Sequence, residues 1–381
     1  MPRSRTLIAG ISASLTGQFS VQGKQALAGL QAWSEDVNHA GGMIVDSPDT
    51  RWPITVVHHD DQSQPDRARQ ITSSLIQNDA VDLLFGPYSS VLSMAAAEIA
   101  EAHQKVLWNQ GGAADNIYQK GFGWTVGILA PASAYLSGLL PLIRKTDASI
   151  ASIGIIQAYP GAFPHAVSSA VHRQARELGF QVNYIREFPP SLTDFSGVLE
   201  EVRGKRLQIL VVVGRIANDI GFAQQLAAAW TSVKVAAIMA TPIQQFVDAL
   251  GGDAQGFIGP SQWEPEANYP SNYGPSSESV LASLKSRASV SVDYPMAQGY
   301  AAGLVAQACV EKAGSLEDVR LRASASDLDI STFYGRFKID SDTGKQTGHS
   351  TLLVQWQDGK KVTLWPPELA RGRLVYPGPK G

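Results

Sequence analysis

Two doubly wound parallel sheets, each forming its own α/β lobe, are what this sequence predicts, and three observations carry the prediction. Short apolar runs alternate with longer helical ones in two successive series, and alternation of that kind builds βαβ units with right-handed crossovers. Runs such as Ile209–Val213 are apolar throughout, as expected of strands covered on both faces of a parallel sheet. The chain has 381 residues, too many for one ordinary core and suited to two or three domains.

The first series opens with a strand at Thr6–Ile11 and a helix over Gln22–Asn38. Ile54–His58 precedes a helix at Asp66–Gln77, Leu83–Phe85 precedes Val91–Ala102, and Val106–Trp108 closes the set. The second series pairs Ile150–Ile156 with Ala162–Leu178, Val182–Phe188 with Phe195–Val202, Ile209–Val213 with Asp219–Trp230, and Val235–Met239 with Gln244–Leu250. Glycine and proline punctuate Trp124–Pro131 and Gly256–Pro260, marking segments that pass between domains. Helices at Ser276–Leu284 and Met296–Ala313 read as returning cover for the first sheet. Phe333–Ile339, Thr351–Gln357 and Lys361–Trp365 alternate apolar and polar residues around an Asp358-Gly359 turn, so they are expected as antiparallel strands on the second domain's edge. The resulting lobes are 1–126 with 261–329, and 127–260 with 330–381. The tail from Pro366 is expected to be irregular.

Composition excludes several classes. Charged residues are 17% and apolar ones 44% of the chain, and the formal net charge is -3 with no block of like charge. Nothing here draws the chain to nucleic acid or an anionic membrane, and no apolar run is long enough to span a bilayer. The single cysteine, Cys309, excludes an internal disulfide and reads as a small buried hydrophobe. Met1-Pro2-Arg3-Ser4-Arg5 followed by Leu7–Ile11 has the charge order of a secretory signal. Its apolar part is too short for one, so it reads as a strand, and any export signal has been removed or never existed.

Several motifs resemble chemistry they do not complete. Gly17 to Lys24 sits where a phosphate-binding loop would, but it has five residues between its glycines instead of four, and Gln25 stands where Ser or Thr must hold magnesium. His58-His59-Asp60-Asp61 suggests a metal, yet adjacent strand residues face opposite sides. There is no Gly-x-Ser-x-Gly elbow and no dinucleotide fingerprint after the first strand. No catalytic residue, metal or cofactor is expected.

The candidate site lies instead at strand ends. Phe85-Gly86-Pro87-Tyr88-Ser89-Ser90 closes an apolar run and opens a helix; its serines can cap the helix, whose first N–H groups have no partners inside it. That is a prepared seat for a carboxylate or other polar head group. Trp108-Asn109-Gln110-Gly111-Gly112-Ala113 makes a second permissive turn at the same expected sheet edge. In the second series Tyr159 follows one strand and Arg215 another, offering a ring with a polar tip and a rigid fork for a carboxylate. Trp263 reads as packing near a crossing or touching the ligand.

These motifs together resemble the type I periplasmic solute-binding proteins, in particular the branched-chain amino-acid-binding family that serves ABC transporters. The resemblance runs from Ile8 to about Phe337 and is carried by Ser14-Leu15-Thr16-Gly17, Asn38-His39-Ala40-Gly41-Gly42 and Asp60-Asp61-Gln62-Ser63. Further on it is carried by the Phe85–Ser90 and Gly111–Ala113 turns, Tyr159-Pro160-Gly161, Asp194-Phe195 and Gly335-Arg336-Phe337. It implies a clamshell of two lobes joined by three hinge crossings, with ligand between the lobes. It also implies that Ser89 and Ser90 hold the head group, that Gly112 and Ala113 add backbone contacts, and that Phe19 forms a wall. Tyr159 and the position of Arg215 would contribute from the second lobe. Two departures, Ala114-Asp115 after Ala113 and Arg215 where an aromatic residue is common, keep an aromatic or other small carboxylate open beside an amino acid.

The expected function is capture of a small polar or carboxylate-bearing solute by hinge closure and delivery to a membrane permease, by a monomer at the periplasm or cell surface. A cytoplasmic ligand sensor on the same fold and a hydrolase with a triad assembled in space are the alternatives.

Overall fold

The structure, a computed structural model, describes residues 5–46, 50–229, 233–287 and 291–376. The Met1–Ser4 start, Trp230 at the end of an expected helix, and the tail beyond Tyr376 lie outside them. The chain divides into two compact units, Met1–Pro131 with Asn268–Ser350, and Ala132–Ala267 with Thr351–Gly381.

In the first unit β1 (Leu7–Ala13) leads into α1 (Ser20–His39), the short pair β2 (Met43–Ile44) and β3 (Arg51–Trp52), and β4 (Ile54–Asp60). There follow α2 (Pro65–Gln77), β5 (Leu83–Phe85), α3 (Ser90–Ala102), β6 (Leu107–Asn109) and β7 (Thr125–Gly127). The second unit holds α4 (Leu139–Thr146), β8 (Ser152–Ala158), α5 (Ala162–Glu177), β9 (Gln181–Phe188) and α6 (Ser196–Gly204). It continues with β10 (Ile209–Val213), α7 (Ile216–Ala228), β11 (Val235–Ile238), α8 (Gln244–Leu250) and β12 (Ile258–Ser261). The chain returns to the first unit for α9 (Ser277–Arg287), α10 (Tyr294–Ala313), α11 (Asp318–Asp327), β13 (Ile330–Thr332) and β14 (Gly335–Phe337). It ends in the second with β15 (Leu352–Gln357) and β16 (Lys360–Trp365).

The first sheet runs β4-β1-β5-β6-β7, parallel throughout. Its strands alternate between two apolar faces. Leu84 joins a cluster with Leu75, Ala96, Ala97 and Leu107 under α2 and α3, while the next residue, Phe85, lies against Trp33 of α1. The other cover is the pair α1 and α10, brought together by glycines. A Cβ on Gly29 would sit 1.9 Å from the Met296 carbonyl oxygen, and one on Gly299 would sit 2.1 Å from that of Ala26.

The second sheet runs β16-β15-β12-β11-β10-β8-β9. Strands β9, β8, β10, β11 and β12 are parallel, and β15 and β16 add the expected antiparallel edge. Asp358 and Gly359 turn this hairpin with φ of 48° and 75°, the left-handed pair that a two-residue turn needs.

Three expectations are corrected. Trp124–Pro131 and Gly256–Pro260 are not merely passing segments, since they contain β7 and β12, each paired into its unit's sheet. Residues 330–350 group with the first unit, not the second, and 127–131 and 261–267 also change sides. The reason is local pairing: β13 and β14 pair with each other, Asn272 and Tyr273 donate N–H to the Ser331 carbonyl, and the Gly127 N–H binds the Gly344 carbonyl.

Gly29→Ala should destabilise the first unit even though alanine is the better helix former. Its methyl meets a backbone carbonyl that moves only if α10 moves. A loss of about 1–3 kcal/mol in chemical denaturation is the expected outcome; a gain would show that α1 and α10 are not held at this spacing.

Candidate functional site

Within each parallel sheet the loops after the strands gather at the carboxyl edge, and the expected site residues stand there. In the first unit the turn after β5 is locked to the turn after β6. Gly86 N–H donates to the Trp108 carbonyl at 2.9 Å and Ser89 N–H to the Gly111 carbonyl at 3.1 Å. The Gln110 amide donates to the Gly86 carbonyl at 2.7 Å. Gly111 permits the approach, because a Cβ there would lie 2.1 Å from the Pro87 carbonyl oxygen.

Ser89 is the N-cap of α3, with φ of 93°, a left-handed conformation that strains a non-glycine residue. Its hydroxyl accepts a long 3.4 Å bond from the Leu92 N–H, and its carbonyl accepts the Ser93 N–H. Ser90 ties the two turns together, its hydroxyl oxygen accepting the N–H groups of Ala113 and Ala114 at 3.2 and 3.0 Å. Gly112 N–H goes to Asn109 Oδ1, whose Nδ2 returns a bond to the Gly112 carbonyl and another to the Tyr118 hydroxyl. Burial pushes the Tyr118 hydroxyl pKa up. The backbone donors expected from Gly112 and Ala113 are therefore engaged within the unit. The N–H groups of Ser90 and Val91 have no acceptor among the described residues, and Val91 is 51% exposed.

Phe19 forms part of the same surroundings, with its ring 6.1 Å from that of Tyr88, edge to face. The Tyr88 hydroxyl lies 3.4 Å from that of Tyr294, and burial raises its pKa. The loop carrying Phe19 is fixed by the Asp60-Asp61 pair. Asp61, fully buried, accepts from the Ser12 and Ser14 hydroxyls and the Ser63 N–H; burial raises its pKa against those bonds. Asp60 accepts from Leu15, Thr16 and Gln62 N–H and the Thr16 hydroxyl. Burial acts to raise its pKa, and these bonds outweigh it and hold the pKa low. Ser63 completes the clamp, its hydroxyl donating to the Thr16 carbonyl and accepting the Phe19 N–H. Among the described residues no group of three or more His, Cys, Asp or Glu is placed to hold a metal.

In the second unit Tyr159 follows β8 directly and is 56% exposed, its N–H bound to the Phe188 carbonyl. Arg215 is the exposed N-cap of α7. Two residues that the sequence pattern did not single out organise its turn. Asn218 accepts the Arg215 N–H and donates to the Pro190 and Leu192 carbonyls. Asp219 accepts the Gly214 N–H at 2.7 Å and the Ala240 N–H at 3.0 Å. Burial pushes the Asp219 carboxyl up to about 8. The available signal was an Asn-Asp pair one turn into a helix that follows a wholly apolar strand. Trp263 is 1% exposed, so it packs and presents almost no surface to a ligand.

Comparison with known proteins adds the following. The family described as periplasmic binding protein has a model that matches residues 7–361. A curated relative, Leu/Ile/Val-binding protein homolog 8 of Brucella abortus (strain 2308), is 22% identical over 377 residues, covering 95% of this chain and 91% of its own length. Among solved structures, the branched-chain amino acid transporter substrate binding protein LivJ from Streptococcus pneumoniae, in complex with isoleucine, is similar with a TM-score of 0.79. It is 16% identical, covering 94% of this chain and 98% of its own. An ABC transporter solute binding protein from R. palustris in complex with benzoate gives 0.78 at 18% identity, covering 94% and 96%. These likenesses show the fold.

Ser90→Ala should cost stability, since it strands the Ala113 and Ala114 N–H groups in a buried turn. A loss of about 1–3 kcal/mol is expected in denaturant titration, against a smaller loss for Ser89→Ala, whose bond is long. Equal and negligible losses would remove Ser90 as the link between the two turns.

Proposed function

Since the chain belongs to the periplasmic binding protein family, a family of solute receptors and not of enzymes, we propose that it captures a small carboxylate-bearing solute and delivers it to the membrane subunits of an ABC transporter. The observation that carries this reading is the start of α3. There two N–H groups without acceptors among the described residues stand beside the Ser89 and Ser90 hydroxyls, at the positive end of a 13-residue helix. Phe19 and Tyr88 add an aromatic wall. Such a seat takes an anion's oxygens, and the wall takes its apolar body.

On this reading Tyr159 and Arg215 supply the second unit's share. Arg215 forms paired charge-assisted bonds to the carboxylate, and Tyr159 packs beside it. Asn109, Gly111, Gly112 and Ala113 shape the first unit's turn instead of donating to the solute. A solute that meets both sets of residues only when the units are closed biases them toward closure by its binding free energy. The solute is an amino acid or a related acid, aromatic acids included. LivJ in complex with isoleucine and the R. palustris protein in complex with benzoate lend support to both classes. We place the protein as a monomer in the periplasm or at the cell surface; among the described residues no helix is long and apolar enough to cross a membrane.

A thermal-shift screen of amino acids, aromatic acids and their amides should yield a carboxylate that raises Tm by about 3 °C at a hundred times its Kd. A broad panel with no hit would refute solute capture. Arg215→Ala should then weaken acids by about 1.5–3 kcal/mol in calorimetry and leave the matching amides nearly unchanged. Equal losses for acids and amides would remove Arg215 from the carboxylate.

A further inference from the structure

Asp219 belongs to neither set of solute contacts, yet its placement is specific. It is 1% exposed, one turn into α7, and its two oxygens reach the backbone at the ends of two neighbouring strands. One takes the Gly214 N–H just past β10, and the other takes the Ala240 N–H just past β11. Gly214 is the residue before Arg215, and a Cβ on it would lie 2.7 Å from Asp219 Oδ1. The carboxyl group thus spans two strand tips and holds the residue from which the Arg215 side chain departs. Among the described residues no cation neutralises it; burial and these two N–H groups act on it. Arg215 beside it, Arg186 and Glu187 on β9, Asp194 in the loop before α6, Asp248 on α8 and Asp253 after it are exposed, while the turn that carries Ala240 also meets Lys361, whose ammonium binds the Pro242 carbonyl and pairs with the buried Glu264.

We propose that Asp219 is a positioning residue for Arg215 and that its ionisation regulates carboxylate capture, tightening the Gly214–Arg215 turn when the group is charged and loosening it when neutral. The proposal rests on Arg215 meeting the solute. The chemistry is that of acceptors. A carboxylate offers both oxygens to the two N–H groups, whereas a carboxylic acid must point its own O–H at one of two donors and weakens that bond. Burial has moved the change from the ordinary acid range to about 8, where it crosses conditions a cell meets. If the tight turn is the competent form, the competent fraction rises about tenfold between pH 7 and pH 9.

The test reads the turn and the binding separately. Hydrogen exchange in the intact protein should show Gly214 and Ala240 amides gaining protection together, by up to about tenfold relative to Val211 and Val212, from pH 7 to pH 9. The same amides should show no such gain in Asp219→Asn. A flat wild-type profile, which needs no variant to be measured, overturns the proposal, as does an equal gain in the variant. Benzoate is the binding probe. Its affinity should rise with pH in wild type and stay level in Asp219→Asn. An affinity that falls with pH, as repulsion between two anions alone would give, or one that ignores the change in exchange, overturns the regulatory role. Unchanged benzoate affinity in Arg215→Ala overturns instead the solute-capture role of Arg215, whatever the exchange data show for Asp219.

Discussion

A strand that runs parallel to its neighbour must be reached by a crossover over the face of the sheet, and this constraint organises each unit. It forces helices onto both faces, so the strands become apolar on both sides. It also sends the loops that follow the strands to one edge. In the first unit that edge collects the turns after β1, β5 and β6, with Phe19, Tyr88, Ser89 and Asn109. In the second it collects those after β8, β10 and β11, with Tyr159, Arg215 and Ala240. The close contact of α1 with α10 through Gly29 and Gly299 serves the same end, since a sheet face is dry only where its helices meet without a gap.

Once the loops share an edge, their polar groups must be accounted for. Most are consumed internally: Ser90 by Ala113 and Ala114, Asn109 by Gly112, Asp60 and Asp61 by the loop before Phe19, Asp219 by Gly214 and Ala240. Such bonds hold an irregular backbone in one conformation, which lowers the entropy lost when a ligand arrives. What is left over defines the chemistry on offer. In the first unit the remainder is N–H groups, hydroxyls and rings, and the proposal of an oxygen-bearing anion with an apolar body rests on that remainder.

The alternation of strand and helix was legible because both periods are written in apolar spacing, and a wholly apolar, β-branched run as short as Ile209–Val213 favours a buried strand over a helix. The strands β7 and β12 were hidden because each is three or four residues long and bordered by glycine or proline. The stretch 330–350 was misassigned because an alternating pattern states that a strand has one wet face without saying which partner it pairs with. The site shows the same division. Residue types at strand ends were readable, so the two glycines of Gly111-Gly112 and the serine pair stood out. Their partners were not, because Ser90 meets Ala114 and Asp219 meets Ala240 only through the fold. Asp60-Asp61 attracted attention as metal ligands and serve as loop anchors instead.

The strain at Ser89 bears on why this corner has serine and not glycine. A φ of 93° costs a serine roughly 1–3 kcal/mol, and glycine would avoid that cost. Serine persists in a conformation fixed from three directions: its N–H on Gly111, its carbonyl under Ser93, and its hydroxyl under Leu92. The two backbone bonds, each worth about 1 kcal/mol, would survive in glycine, so they do not explain the choice. Only the hydroxyl distinguishes the residues, and its 3.4 Å bond to Leu92 is too long to offset the strain alone. On the proposed reading the remainder comes from a second use of that hydroxyl, donation to the captured anion beside the Ser90 and Val91 N–H groups.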